Sequence, residues 1–343
     1  MKSIWLYSVR LYLKIGLFFY FKNIQIHNLE HIPKDKPVLF LSNHQNALLD
    51  ALLIATKNGR FSYFLTRAAV FNKPFVSKLL MSLQMLPVYR VRDGWSKISN
   101  NNAIFETCSE LLKKNKAIVI FPEGSHNLKR TVRPLSKGFT RIVFDTLEKY
   151  PETDLQLIPV GLNFKHAEKC PDNVSVFFGK PLIAKDFVLE NKNASVVKLK
   201  SKIQSEISKS TTHIPSDNYD ESIKKLNDLQ VDYLNPKAVN QCIQNNFENC
   251  DSKQHSKIKG LRSFFKLLLI INLLFPYFIW KRVAQPKIKE IEFTSTFRFA
   301  LAITLIPFYL LIITVLLSVL FSLKIAIIYL ISVLIISLLA VKL

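Results

Sequence analysis

Two uninterrupted apolar runs close the sequence, Phe299 to Phe321 and Ile325 to Val341, joined by Ser322-Leu323-Lys324. Each is long enough to cross the hydrocarbon core of a bilayer as a helix. Lipid offers the backbone no hydrogen-bonding partners, so a helical hairpin is expected there. The basic residues Lys281, Arg282, Lys287 and Lys289 precede the hairpin. Basic segments favour the cytoplasmic face, which makes the hairpin leave and return to that side. Phe264 to Trp280 is also apolar, but it is short and holds Lys266 and Pro276, and it is expected to be re-entrant or interfacial. Three spans would instead put the basic segment outside. Pro307 lies where it would kink the first span.

The opposite end of the chain, Ile4 to Phe21, is apolar and aromatic but carries Arg10 and Lys14. Two cations near the middle make full insertion costly, whereas both can snorkel from a helix lying at headgroup level. An interfacial anchor is expected, with a true span as the alternative. No small-residue cleavage site follows, which argues against a cleaved signal peptide.

The formal charge of +22, from 47 Lys and Arg against 25 Asp and Glu, points to acidic partners. Anionic lipid headgroups, phosphorylated substrates, acidic carrier proteins and nucleic acid all fit that charge. The apolar ends favour membrane lipid, and no basic-aromatic platform is found, so nucleic acid is not expected as a partner. Cys108, Cys170, Cys242 and Cys250 form no CxxC and have no zinc-like histidine spacing, and are expected to be reduced and structural. His27 and His31 lie four apart but lack a third ligand. No metal, redox group or other cofactor is implied.

Between the apolar ends, residues 24 to 189 alternate strand-like and helical segments, the pattern of an α/β domain. Val38 to Leu41 reads as a buried strand, breaks into Ser42-Asn43-His44-Gln45-Asn46, and resumes as a helix that carries Asp50. Ser62 to Thr66 reads as a strand and Val76 to Met85 as a helix. A short strand from Met85 then delivers Arg90. Asn101 to Lys113 is an amphipathic helix, and Ala117 to Phe121 a buried strand ending in Pro122-Glu123-Gly124-Ser125-His126. Lys137 to Glu148 follows as a helix, then Leu155 to Gly161 and Val174 to Gly179 as strands. Residues 190 to 260 are rich in Lys, Asn, Ser and Gln and are expected to be a polar, mostly helical extension, with His213 and His255 on its surface. The expected organisation is an anchor helix (1–23), a catalytic domain (24–189), that extension (190–260) and a membrane region (261–343).

A histidine and an aspartate after one strand, an arginine closing the next segment, Phe-Pro-Glu-Gly after a later strand and Ile158-Pro159-Val160 after that form an ordered set. It resembles the glycerolipid acyltransferase family over roughly residues 24 to 185. The resemblance implies a mixed sheet flanked by helices. It also implies transfer of a fatty acyl group from acyl-CoA or acyl carrier protein to a hydroxyl of a glycerol phosphate or lysophospholipid. His44 would be the general base and Asp50 the residue that orients its ring, a division of labour that suits an imidazole pKa of about 6.5. No serine or cysteine stands in a nucleophile motif, so direct attack by the acceptor hydroxyl is expected. A lysophospholipid-remodelling enzyme and a non-catalytic lipid-binding membrane protein are the alternatives.

By the same resemblance Arg90 would hold phosphate, and Glu123 with Gly124 would bind the acceptor. The family's usual Gly-Thr-Arg is Gly124-Ser125-His126 here, so His126 stands where a phosphate-binding arginine is usual. Ser125, Lys129, Arg130, Arg133, Lys137 and Arg67 are further candidates for the substrate site, and Ile158-Pro159-Val160 for shaping its pocket. Most members place four residues between the histidine and the aspartate, and here Gln45 to Leu49 make five. Some glycerol-3-phosphate and dihydroxyacetone-phosphate acyltransferases share the longer spacing. One more residue in a regular helix would swing the carboxylate by about 100°, so the turn through Gln45 and Asn46 is expected to absorb it.

Overall fold

The computed structural model describes residues 2–90, 94, 99–251 and 259–343. His255, expected on the surface, lies outside them. The strands are β1 (Asn23–His27), β2 (Val38–Ser42), β3 (Ser62–Arg67), β4 (Met85–Val88), β5 (Ala117–Ile120), β6 (Gln156–Phe164), β7 (Asn173–Phe178) and β8 (Leu182–Ile183). They form one sheet in the order β1-β7-β6-β2-β5-β3-β4, with β8 beside β6. Parallel pairing joins β6, β2, β5, β3 and β4, while β7 and β8 run antiparallel to β6. The sheet is therefore mixed and flanked by helices, as the α/β reading expected.

Every residue of β2, β5 and β6 is buried. Strands covered on both faces need such continuous apolar runs. Along β2 the side chains alternate: Val38 and Phe40 enter one core, Leu39 and Leu41 the other. The first core takes Leu49 and Leu53 of α2 (Ala47–Lys57) and Leu17 and Phe21, at the end of α1 (Lys2–Tyr20). The second takes α4 (Asn101–Lys113), α5 (Gly138–Lys149) and Leu199, Ile203 and Ile207 of α6 (Lys192–Ser210).

The boundary expected at residue 189 is thus no break in the core, because α6 covers the sheet. Its end lies so close to β6 that a Cβ on Gly161 would sit 2.0 Å from the Ser210 carbonyl oxygen. Beyond it, α7 (Tyr219–Asp228) and α8 (Pro236–Gln244) enclose a small core of Ile214, Leu226, Val231 and Val239. Two expectations fail here. His213 is half-buried, its Nδ1 accepting from the Val132 N–H at 3.0 Å, because the chain leaving α6 packs against the loop before α5. Cys242 and Cys250 form a disulfide, since the turn after α8, with positive φ at Asn246, Phe247 and Asn249, folds Cys250 back onto the helix.

The carboxyl-terminal elements are α9 (Lys259–Asn272), α10 (Leu274–Phe278), α11 (Thr294–Leu320) and α12 (Leu323–Lys342). Among the described residues, two helices are long and apolar enough to cross a membrane, Ile291–Leu320 and Leu323–Lys342. The apolar segment before them is bent by 96° between Asn272 and Leu274, the shape of a broken span or re-entrant loop. α1 packs on α2, α11 and α12, and turns Ile4, Tyr7, Leu11, Ile15 and Phe18 outward.

Candidate active site

The carboxyl ends of β2 and β5 lie side by side in the middle of the sheet, so the loops that leave them are neighbours. The β2 loop carries His44 and the β5 loop carries Glu123 to His126. His44 Nδ1 lies 2.7 Å from Asp50 Oδ2, and the aspartate side chain is fully buried. Oδ2 also accepts from the Asn46 N–H at 2.8 Å. A buried carboxylate bonded to Nδ1 holds the proton on that nitrogen and leaves the Nε2 lone pair to act as a base.

The extra residue between His44 and Asp50 is absorbed at the start of α2. Ala47 takes φ 41°, in the left-handed region that costs a non-glycine residue about 1 kcal/mol or more. Bonds on every side hold this turn. Leu49 N–H donates to Asn46 O at 2.9 Å, Asn46 Nδ2 to Ala167 O at 2.8 Å, and Leu48 N–H to Thr296 Oγ1 at 3.2 Å. Ser295 Oγ donates to the same Ala167 carbonyl at 2.6 Å.

Two rings fix the plane of the His44 imidazole. Phe121 stacks on it with centroids 4.1 Å apart, and His126 meets it edge to face at 5.7 Å. His126 in turn lies against Phe293 and has its Nε2 3.3 Å from Glu290 Oε2. Burial, and to a lesser degree the neighbouring His44, hold His126 below the usual imidazole range, with Glu290 pulling the other way.

Glu123 is only 3% exposed, and Arg133 Nε donates to its Oε2 at 2.7 Å. Arg133 also donates to Ser125, through Nη1 to Oγ at 2.6 Å and through Nη2 to the carbonyl. Burial pushes the Glu123 carboxyl up, while Arg133 and the side chain and backbone of His44 pull it back. Glu123 therefore braces the loop that carries His44, and it and Ser125 are both occupied by Arg133. Gly124 takes φ 72°, and its carbonyl accepts from Arg90 Nη1 at 2.9 Å. Arg90 thus reaches the β5 loop from beyond the end of β4.

Arg67 is exposed at the end of β3, and Lys137 is exposed just ahead of α5. Arg130, expected among the phosphate ligands, is a structural residue instead. Its guanidinium donates to the Phe164 and Lys165 carbonyls at 2.9 Å each and lies 3.8 Å from the Tyr233 ring centroid. Pro159 of the expected pocket motif sits inside the sheet opposite Leu41, and its carbonyl accepts from the Gly179 N–H. Glu290, Phe293 and Thr296 at the site were not found from sequence. They lie in the short charged stretch just ahead of the first long apolar run, with no local pattern that marks them.

The Acyltransferase family profile matches residues 23–163, which bring in both loops of the site. Over 95 residues the chain is 28% identical to glycerol-3-phosphate O-acyltransferase 1 of Saccharomyces cerevisiae, covering 27% of this chain and 12% of that protein. Over 157 residues it is 27% identical to the chloroplastic 1-acyl-sn-glycerol-3-phosphate acyltransferase LPAT1 of Arabidopsis thaliana, covering 46% and 40% of the two. The chain thus spans well under half the length of these curated relatives. A crystal structure of the 1-acyl-sn-glycerophosphate acyltransferase PlsC from Thermotoga maritima aligns with a TM-score of 0.42 at 20% identity, over 60% of this chain and 80% of that one. Residues 23–163, the stretch that carries His44 and Glu123, thus match the Acyltransferase family and are similar to acyltransferases of glycerol-3-phosphate and 1-acyl-sn-glycerol-3-phosphate.

Proposed function

We propose that this protein is a membrane-bound O-acyltransferase. It would move a fatty acyl group from a thioester, acyl-CoA or acyl carrier protein, to a hydroxyl of 1-acyl-glycerol-3-phosphate or glycerol-3-phosphate. The observation that carries this reading is the 2.7 Å bond between His44 Nδ1 and the buried Asp50 carboxylate. His44 Nε2 takes the proton of the acceptor hydroxyl as its oxygen attacks the thioester carbonyl. The tetrahedral intermediate collapses with loss of the thiolate, and the imidazolium returns its proton to sulfur. Asp50 stabilises the imidazolium in between. Arg90 and Arg67 supply positive charge for the acceptor phosphate, and Glu123, Ser125 and Arg133 hold the β5 loop in place. Residues 24–210 form the catalytic unit, α1 an interfacial anchor, and α11 with α12 a hairpin that keeps the catalytic unit on the cytoplasmic face.

The test is to incubate the full chain in lipid nanodiscs with labelled acyl-CoA or acyl carrier protein and a panel of acceptors. The panel contains glycerol-3-phosphate, dihydroxyacetone phosphate, 1-acyl-glycerol-3-phosphate and lysophosphatidylcholine. Acylation of a phosphate-bearing acceptor is expected, with His44→Ala lowering the rate by roughly 10²-fold or more. A folded protein that acylates none of them, or a His44→Ala variant at full rate, overturns the proposal.

A further inference from the structure

We propose that the helix between β3 and β4, α3 (Pro74–Ser82), is a membrane-contact surface by which the catalytic domain itself rests on an anionic lipid bilayer. Apolar residues lie on both sides of α3. Val76 and Leu80 are half-buried against the domain, while Phe75, Leu79 and Met81 are open, Phe75 to 78%, and Val70 in the preceding turn is open as well. None of its residues is buried. A water-facing helix of this kind would carry polar residues on its outer face.

Two observations identify the occupant. The first is continuity: Trp5 Nε1 of α1 donates to Ser82 Oγ at 3.2 Å, so the end of α3 abuts α1, whose outward face is apolar. α1 in turn lies along α11 and α12, the helices long enough to cross a membrane. The open residues of α3 thus extend the apolar surface already assigned to lipid. The second is charge. Between Asp50 and Asp93 the sequence holds no acidic residue and seven basic ones, Lys57, Arg60, Arg67, Lys73, Lys78, Arg90 and Arg92. Lys73 and Lys78 are exposed at α3 itself. Long cationic side chains beside open aromatic and aliphatic ones suit the boundary between acyl chains and anionic headgroups, where the amine reaches outward while the stem stays in apolar surroundings. The inference needs the membrane association of α11 and α12 but not the acyl-transfer chemistry, so it can fail or hold independently of the proposed function.

A photo-crosslinking amino acid, p-benzoylphenylalanine, placed at Phe75, at Leu79 and, as a control, at the exposed Val197 of the polar helix α6 tests it in the full chain. The protein is reconstituted in nanodiscs of phosphatidylcholine with or without phosphatidylglycerol, and adducts are read by mass spectrometry. Lipid adducts at 75 and 79 are expected to exceed those at 197 by at least about fivefold. The Lys73→Glu/Lys78→Glu pair should lower the phosphatidylglycerol adducts about threefold or more. Lipid adducts at 75 and 79 no higher than at 197 overturn the proposal. So do adducts that form only with added acyl carrier protein, since the surface would then dock protein, and phosphatidylglycerol adducts unaffected by the lysine changes.

Discussion

Two imidazoles meet edge to face at the site, and their carboxylate partners come from very different places. His44 is paired within its own turn to Asp50, whose side chain is 0% exposed. His126 is paired across 164 residues to Glu290, whose side chain is 65% exposed. The first pair is short, shielded from water and braced by the Asn46 N–H, so it fixes a tautomer, and in the proposed reaction it would stabilise the imidazolium in a medium of low dielectric. The second is longer and open to solvent and salt, where an ion pair contributes little energy. Its role is a tether: it ties the β5 loop to the chain entering α11. The local pair thus orders the His44 turn from within, and the distant pair links the neighbouring β5 loop to the long apolar helices.

The largest effect should come from Asp50→Asn. The amide can no longer accept from Nδ1 as a charged partner, the favoured tautomer is lost, and kcat should fall by roughly 10³-fold with little change in KM. Acyl-transfer kinetics on protein with an unchanged circular dichroism spectrum check this. A loss under tenfold would put the two histidine pairs on an equal footing. Next comes Arg133→Gln, which leaves Glu123 buried without its cation. Because Arg133 is itself 26% exposed, the destabilisation should be about 2 kcal/mol, below the usual cost of breaking a fully buried pair. Glu123 should then take up a proton more readily, weakening its hold on the His44 backbone. The midpoint of thermal unfolding and kcat should therefore fall together, and Arg133→Lys should recover only part of either, since it lacks the fork that reaches both Glu123 and Ser125.

Thr296→Val moves to the distant side of the comparison. It removes the acceptor for the Leu48 N–H next to the strained Ala47, a loss of about 1 kcal/mol. If the chain entering α11 helps to set the His44 turn, kcat should drop about 3- to 10-fold at constant KM, and Thr296→Ser should restore it. An unchanged kcat would confine control of the turn to Asp50 and Asn46.

What the sequence displays and what it hides follow the same division. His44 and Glu123 stand just past the ends of continuous apolar runs, and a run buried on both faces announces itself within a few residues. The two-residue β8 and the placement of β7 between β1 and β6 have no such local pattern, because partner choice decides them. Arg130 and Arg133 lie three residues apart with the same charge. One is enclosed by the Phe164 and Lys165 carbonyls and the Tyr233 ring, the other forks onto Glu123 and Ser125. Nothing in their spacing separates them, since the difference lies in chain that returns from residues 164 and 233. Thr296 and Glu290 were hidden for the same reason, being 248 and 164 residues from what they touch. The Cys242–Cys250 bond depends on three positive-φ residues in a turn whose composition looks merely polar.

The smallest effect separates a tether from the pair proposed for catalysis. Glu290→Gln keeps the size and one acceptor oxygen of the side chain and removes the charge. At neutral pH it should change kcat by less than about twofold, because the charge it removes is largely screened. The His126 pKa gives a sharper readout. In the folded protein it is lowered, so between the ordinary imidazole value and the lowered one the unfolded chain binds more protons than the folded one. The contribution of His126 to stability is therefore present above the ordinary value and is lost as pH falls through the lowered one. Glu290 is among the groups that raise this pKa, so Glu290→Gln should lower it further and make the acid-side loss steeper. His126→Gln should remove that part of the loss altogether. Thermal unfolding midpoints measured from neutral to mildly acid pH for the three proteins should rank His126→Gln as the flattest and Glu290→Gln as the steepest. The reverse order would mean that Glu290 acts on His126 by more than a screened charge, and that the two histidine pairs are closer in kind than their burial indicates.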